Sequence, residues 1–257
     1  MLSPKLITMI SIASVCLLLI FNATSRVEGL RKILIIGGSG RVGGSALRKL
    51  NSMIFKDDEV WKKSSSSDVV IDGVDNVLES AGNMARYRDI RLTVMGRDVK
   101  NWNDYVALKS LDISYINFIA MDINENEGYQ LDAIIKEHDL IINTAGPFQG
   151  LRIPVVMEKC LLYSKKYIDV CDDIKLSRIC RSQHYQEMAI RYNSTAIIST
   201  GIWPGCSSLL ADDIIHHNIP GGVEQVDSVR FSFFTAGSGG AGPTILSATF
   251  LILGTIS

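Results

Sequence analysis

The sequence predicts an α/β chain: a parallel sheet wound on both faces by helices. Three observations predict it. Short apolar runs alternate with helical segments from Lys32 to His217, which is the pattern of repeated strand–helix–strand units. Ile33 to Ile36 is an unbroken apolar run, as a strand covered on both faces requires. That run leads into Gly38, Gly40 and Gly43, spaced G-x-G-x-x-G, and then into the helical segment Ser45-Ala46-Leu47-Arg48-Lys49-Leu50. An ordinary glycine turn lacks this flanking strand and helix; together they are the opening unit of a Rossmann dinucleotide fold. In it the first glycine allows the tight turn, the second lets a pyrophosphate approach the backbone, and the third lets the helix pack close to the strand. The helix start offers N–H groups and a partial positive charge. Gly38, Ser39, Gly40, Arg41, Val42 and Gly43 are therefore the first cofactor-binding candidates.

The remaining elements follow in order. Residues 56–89 are rich in serine and charge, with Lys62-Lys63-Ser64-Ser65-Ser66-Ser67-Asp68 at their centre. They read as an insertion loop with a short element around Val69 to Leu78. The insertion delays the second strand, Arg91 to Met95, which exits through Gly96-Arg97-Asp98. That exit should lie beside the adenosine ribose. An arginine there pairs with a 2′-phosphate, whereas an acidic residue takes the 2′-hydroxyl. Arg97 favours NADP, and Asp98 keeps NAD open. Asn117 to Asp122 reads as the third strand, with Asp122 either at the adenine edge or capping the next turn. A helix is expected over Leu131 to Lys136. Asp139 to Phe148 reads as the fourth strand and its exit, where the small residues Ala145 and Gly146, followed by Pro147, would let the cofactor pass. A helix over Pro154 to Ser164 has its proline at the favourable end. The fifth strand is Tyr167 to Val170, followed by one long amphipathic helix from Leu176 to Tyr192. The sixth strand is Thr195 to Thr200, leaving through Gly201-Ile202-Trp203-Pro204-Gly205 into a helix over Leu209 to His217. Residues 30–217 thus form the nucleotide-binding domain. An alternating strand over Val226 to Phe234, a flexible loop over Gly237 to Pro243 and an apolar helix over Ile245 to Ile256 read as the start of an incomplete second domain, residues 218–257.

Residues 1–29 read as a leader. Lys5 precedes an uncharged stretch from Leu6 to Ser25 with an apolar centre from Ile10 to Phe21. This suits a signal peptide or the first part of a bipartite organelle leader, plastid type included, and so the secretory pathway or an organelle. The rival is a single transmembrane anchor, with residues 6–25 associated with a membrane. Of the five cysteines, Cys16 falls in this leader; Cys160, Cys171, Cys180 and Cys206 form no C-x-x-C pair and read as buried thiols. The 257 residues are 47% hydrophobic with a net charge of −1, enough for a substantial core and without the basic excess that nucleic-acid binding requires. No metal-ligand spacing appears.

Taken together, Gly37 to Gly43, Asn143-Thr144-Ala145-Gly146-Pro147-Phe148, Tyr167-Ile168-Asp169-Val170 and Gly201 to Gly205 resemble the saccharopine dehydrogenase-like NAD(P)-binding oxidoreductases. The resemblance covers about residues 32–250. It implies a Rossmann domain followed by a mixed α+β domain, and hydride chemistry on C–N bonds of amino-acid-derived small substrates. The insertion at 56–89 and the short second domain depart from that pattern.

Other chemistries are weaker. Tyr105 and Lys109 have the Y-x-x-x-K spacing of short-chain dehydrogenases but precede the third strand, so they read as one face of a helix. His216 and His217 read as a solvent-facing helix end, and Asp172 and Asp173 as an N-cap pair. No catalytic residue can be assigned. The expected protein is an NADP-dependent oxidoreductase with a small-molecule substrate; a homodimer is an open option. The alternative is a non-catalytic nucleotide-binding protein. A valine at Gly146 should block the cofactor, and one at Gly205 should impair turnover more than affinity.

Overall fold

The computed structural model describes residues 31–55, 90–109, 111, 113–123 and 128–232. The leader 1–29, the insertion 56–89, and the loop and helix expected after Phe234 lie outside the described residues, as does Cys16. Among the described residues six strands form one sheet in the order β3-β2-β1-β4-β5-β6, and every neighbouring pair is parallel. The strands are β1 (Lys32–Ile36), β2 (Arg91–Gly96), β3 (Ile116–Ala120), β4 (Leu140–Asn143), β5 (Lys166–Asp169) and β6 (Ala196–Ile197). The order reverses between β1 and β4. This is the doubly wound Rossmann topology, with its crevice at the carboxyl ends of β1 and β4.

The period of two along each strand distributes the core to both faces. Ile33 and Ile35 of β1, with Leu92 and Val94 of β2, point to one face. There they meet Leu47, Leu50 and Ile54 of α1 (Arg41–Phe55) and Trp102 of α2 (Val99–Lys109). Leu34 and Ile36 point to the other face with Met95 and Ile141. They meet Leu131 and Ile135 of α3 (Tyr129–Glu137) and Met157, Cys160 and Leu161 of α4 (Val155–Leu162). Leu176 and Cys180 of α5 (Ile174–Cys180) and Tyr185 of α6 (Gln183–Arg191) complete that layer. Full burial of each large aliphatic side chain contributes about 1.5–3 kcal/mol. Helix α7 (Cys206–Asn218) follows β6.

Three elements differ from the sequence expectation. The single helix from Leu176 to Tyr192 is two helices. The Ser182 N–H bonds back to the Ile179 carbonyl, and Ser182, with extended backbone (φ −62°, ψ 157°), starts α6; serine favours such a start. The sixth strand shrinks to Ala196–Ile197 because Ser199 takes φ +60° and turns towards β5. The strand expected from Val226 is absent over the described residues 226–232. A short 3₁₀ turn over Gly222–Gln225 precedes it, and Val229 and Phe231 are exposed. An alternating sequence forms a strand only beside a partner edge. Helix α7 also begins earlier than expected, at Cys206.

Candidate cofactor site

The β1 exit is built from backbone. Gly37 takes φ +80°, and its N–H donates to the Met95 carbonyl at 2.8 Å. The tight turn therefore belongs to Gly37, one residue before the first glycine of the spacing motif. Gly38 serves packing: a Cβ there would stand 2.8 Å from Cγ1 of Val94. At Gly43 a Cβ would overlap Oγ1 of Thr144 and the Gly37 carbonyl, so this glycine brings α1 against β1 and β4. Gly40 is different. Among the described residues, a Cβ there meets only the Gly37 oxygen, at 3.1 Å, and otherwise open space. Helix α1 starts at Arg41 with no acidic residue in its first turn, and its first N–H groups have no intrahelical partner. The open space at Gly40 beside this positive helix end is the shape and charge a pyrophosphate requires, so the residues present fit a dinucleotide.

At the β2 exit, the side chain of Ser39 lies over Gly96: a Cβ on Gly96 would be 3.2 Å from its Oγ. Arg97 follows and is exposed. The Asp98 carboxylate accepts the Lys100 N–H at 2.7 Å, capping α2. Sequence reasoning missed this cap, although an aspartate just before a helix is its signal. Asp122 is half-buried just after β3.

At the β4 exit, Thr144 ties the strand to β1 through its N–H and hydroxyl, both donating to the Ile36 carbonyl. Ala145 and Gly146 are half-buried and Pro147 exposed, so the candidates at the ends of β1, β2 and β4 share one edge of the sheet. The Asn143 Oδ1 accepts the Ala145 N–H at 3.2 Å, while its Nδ2 donates to the Tyr167 hydroxyl at 3.2 Å. Burial pushes the Asp169 carboxyl above its ordinary value. The N–H groups of Ser199 and Cys171 and the Tyr167 hydroxyl pull against that. Asp173 caps α5 by accepting the Leu176 N–H, while Asp172 accepts from Nε2 of Gln149 at 2.7 Å. Only Asp173 is thus a helix cap.

The remaining candidates behave as the sequence suggested. Tyr105 donates to the Gly44 carbonyl and stacks near Trp102, so the Tyr105–Lys109 spacing is helix packing. His216 and His217 are exposed and face Asp212 and Asp213 one turn back. Cys160, Cys171, Cys180 and Cys206 are buried and free. Burial pushes the Cys171 thiol up to about 11 and Cys180 to about 12, so neither is a ready thiolate. No group of metal-ligating side chains occurs among the described residues.

Residues 79–201 match the family described as saccharopine dehydrogenase NADP binding domain. Over that stretch the chain is similar to the saccharopine dehydrogenase NADP binding domain. The matched stretch carries β2 to β6, and the glycine turn at Gly37 to Gly43 stands before it, beyond the long insertion. The likeness is to an NADP-binding domain. No curated protein matches it. Similar solved structures include Staphylococcus aureus (S. aureus) homoserine dehydrogenase at 15% identity and TM-score 0.33, covering 66% of this chain and 32% of that one. Shikimate 5-dehydrogenase from Listeria monocytogenes, in complex with shikimate and NAD, is 12% identical with TM-score 0.40, covering 77% and 56%. AtPrR2 with NADP+ and (+)pinoresinol is 11% identical with TM-score 0.34, covering 66% and 49%. The chain spans about a third of the homoserine dehydrogenase and about half of the other two.

Proposed function

We propose that this chain is the cofactor-binding part of an NADPH-dependent oxidoreductase acting on an amino-acid-derived or related small substrate. The observation that carries the reading is the open cradle at Gly40, at the start of α1 and at the reversal of strand order. Nicotinamide, when bound, supplies the hydride chemistry. The chain's own residues bind and orient. The α1 start and the turn at Ser39 and Gly40 hold the pyrophosphate; Arg97 reaches the 2′-phosphate, with Ser39 beside it. Asp98 is engaged in capping α2, which supports Arg97 as the residue that reads the ribose. Ala145, Gly146 and Pro147 line the path towards the nicotinamide, and the substrate lies between that turn and Trp203-Pro204-Gly205.

Titration of the full chain with NADPH and NADH, for wild type and Arg97→Ala, tests this. A charge-assisted hydrogen bond is worth about 1.5–3 kcal/mol. The variant should therefore lose about tenfold or more for NADPH and little for NADH. Equal losses for both would remove Arg97 from the 2′-phosphate. Absence of NADPH binding by wild type would overturn the reading.

A second reading is a nucleotide-binding domain without chemistry of its own. It is favoured by the acids at the crevice, since Asp169, Asp172 and Asp173 are each held by protein donors. NADPH oxidation by the full chain with 2-oxo acids and amino acids separates the two readings.

A further inference from the structure

The turn after β4 spends its backbone donors on itself. Asn143 ends β4 and is buried. Its Oδ1 accepts the Ala145 N–H at 3.2 Å, and its Nδ2 donates to the Tyr167 hydroxyl at 3.2 Å. A backbone N–H can only donate, so the Ala145 bond assigns the amide oxygen. The hydroxyl of Tyr167, itself buried on β5, then holds the amide in that orientation. One residue on, the Gly146 N–H donates to the Thr144 carbonyl at 3.2 Å. Pro147 has no N–H. Residues 145–147 therefore keep no N–H for a ligand. Their carbonyls take no hydrogen bond among the described residues. Ala145 and Gly146 are half-buried and Pro147 is exposed, so the turn meets a ligand with acceptors. Such a wall suits an amide N–H and opposes a carboxylate. It stands beside the reversal of strand order, on the side of β1 away from β2 and Arg97. A dinucleotide with its ribose phosphate at Arg97 and its pyrophosphate at the β1 turn brings its nicotinamide end to this side.

Resting on the cofactor reading above, we propose that the turn at Ala145-Gly146-Pro147 recognises the nicotinamide carboxamide by accepting its N–H. Asn143 is the positioning residue: it turns the Ala145 N–H away from the ligand and leaves an acceptor-only wall. Without the Asn143 oxygen, the Ala145 N–H is released and the wall presents a donor beside its acceptors.

The test uses the full chain, wild type, Asn143→Leu and Tyr167→Phe, titrated separately with NADPH, its reduced acetylpyridine analogue and 2′,5′-ADP. The analogue carries a methyl group in place of the carboxamide NH2 and keeps the carbonyl. 2′,5′-ADP carries the adenosine half alone. Wild type should prefer NADPH to the analogue about fivefold, the equivalent of one hydrogen bond. Asn143→Leu should lose that preference and bind 2′,5′-ADP like wild type. Tyr167→Phe keeps the Asn143 amide but frees its orientation, so it should lose part of the preference, again with 2′,5′-ADP unchanged. If Asn143→Leu does not fold, Tyr167→Phe decides alone. Equal binding of NADPH and the analogue by wild type overturns the proposal. So does a full preference kept by a folded variant, or parallel weakening of all three ligands, which a merely structural role would produce. Wild type that binds neither NADPH nor 2′,5′-ADP overturns the cofactor reading and the proposal with it, whereas wild type that binds both isolates a failure of the proposal.

Discussion

The two ends of the crevice are built in opposite ways. At the β1 exit the site is made by leaving side chains out: Gly37 supplies a turn, Gly43 supplies contact between helix and strands, and Gly40 supplies empty space. At the β4, β5 and β6 exits it is made by side chains: Asn143 donates to the Tyr167 hydroxyl, and the Asp169 carboxylate accepts the Ser199 N–H. A second glycine turn lies there too, at Gly201 to Gly205, but its glycine holds the fold. Gly205 takes φ +123°, and a Cβ there would overlap the Gly201 carbonyl. Glycines that look alike in the sequence thus do three jobs: permit a backbone angle, permit close packing, or leave room for a ligand.

Substitutions separate those jobs. Gly205→Val combines left-handed backbone strain with overlap of backbone atoms. We expect a loss of about 3–5 kcal/mol, seen as a collapse of the thermal melting transition. The sequence reading expected turnover to suffer more than affinity; the backbone at Gly205 adds a loss of stability. Gly43→Ala should cost about 2–3 kcal/mol by overpacking α1 against Thr144 and Gly37, measured by urea unfolding. If the Gly43 variant were as stable as wild type, the close packing of α1 would not matter to the fold. Gly40→Ala should behave oppositely. Its melting temperature should stay near that of wild type, while NADPH affinity falls about tenfold, or ~1.4 kcal/mol, because the methyl enters the pyrophosphate's space. Unchanged affinity would mean that the cofactor does not pass over Gly40.

The smallest effect concerns a buried histidine remote from both turns. Its role is structural. His138 is 4% exposed, its Nδ1 lies 2.7 Å from the Ile134 carbonyl, and its Nε2 lies 2.8 Å from the Thr93 hydroxyl. These partners assign the neutral ring, donating from Nδ1 and accepting at Nε2. Burial lowers its pKa below 6.5. The unfolded chain then takes up the proton first as pH falls, so this residue's contribution is complete above about pH 7 and declines as the pH falls below the ordinary 6.5. His138→Gln should flatten the melting temperature across that window. An unchanged slope would assign the pH dependence to other groups.

Much of the fold was legible because it follows from local pattern. The apolar run at Ile33 to Ile36, the repeated strand–helix alternation and the glycine spacing predicted the parallel sheet and its nucleotide turn. The cofactor candidates fall just after β1, β2, β3 and β4. Errors arose where a pattern needed a partner. The alternation from Val226 found no sheet edge over the described residues, and Ser182 divided a helix that periodicity alone made continuous.

By itself, the sequence determined the fold class, the position of the glycine turn after β1 and the likeness to the saccharopine dehydrogenase NADP binding domain. These depend on residue spacing of two, of 3.6, or within a single turn, all encoded by near neighbours. Only the tertiary structure decided which glycine carries the strained angle, that Asp98 caps a helix, and that Asp169 accepts from Ser199, 30 residues further along the chain. The reason is physical. A buried carboxylate bonds whichever donors the packed sheet brings to it, and Ser199 is a neighbour of Asp169 in space and not along the chain.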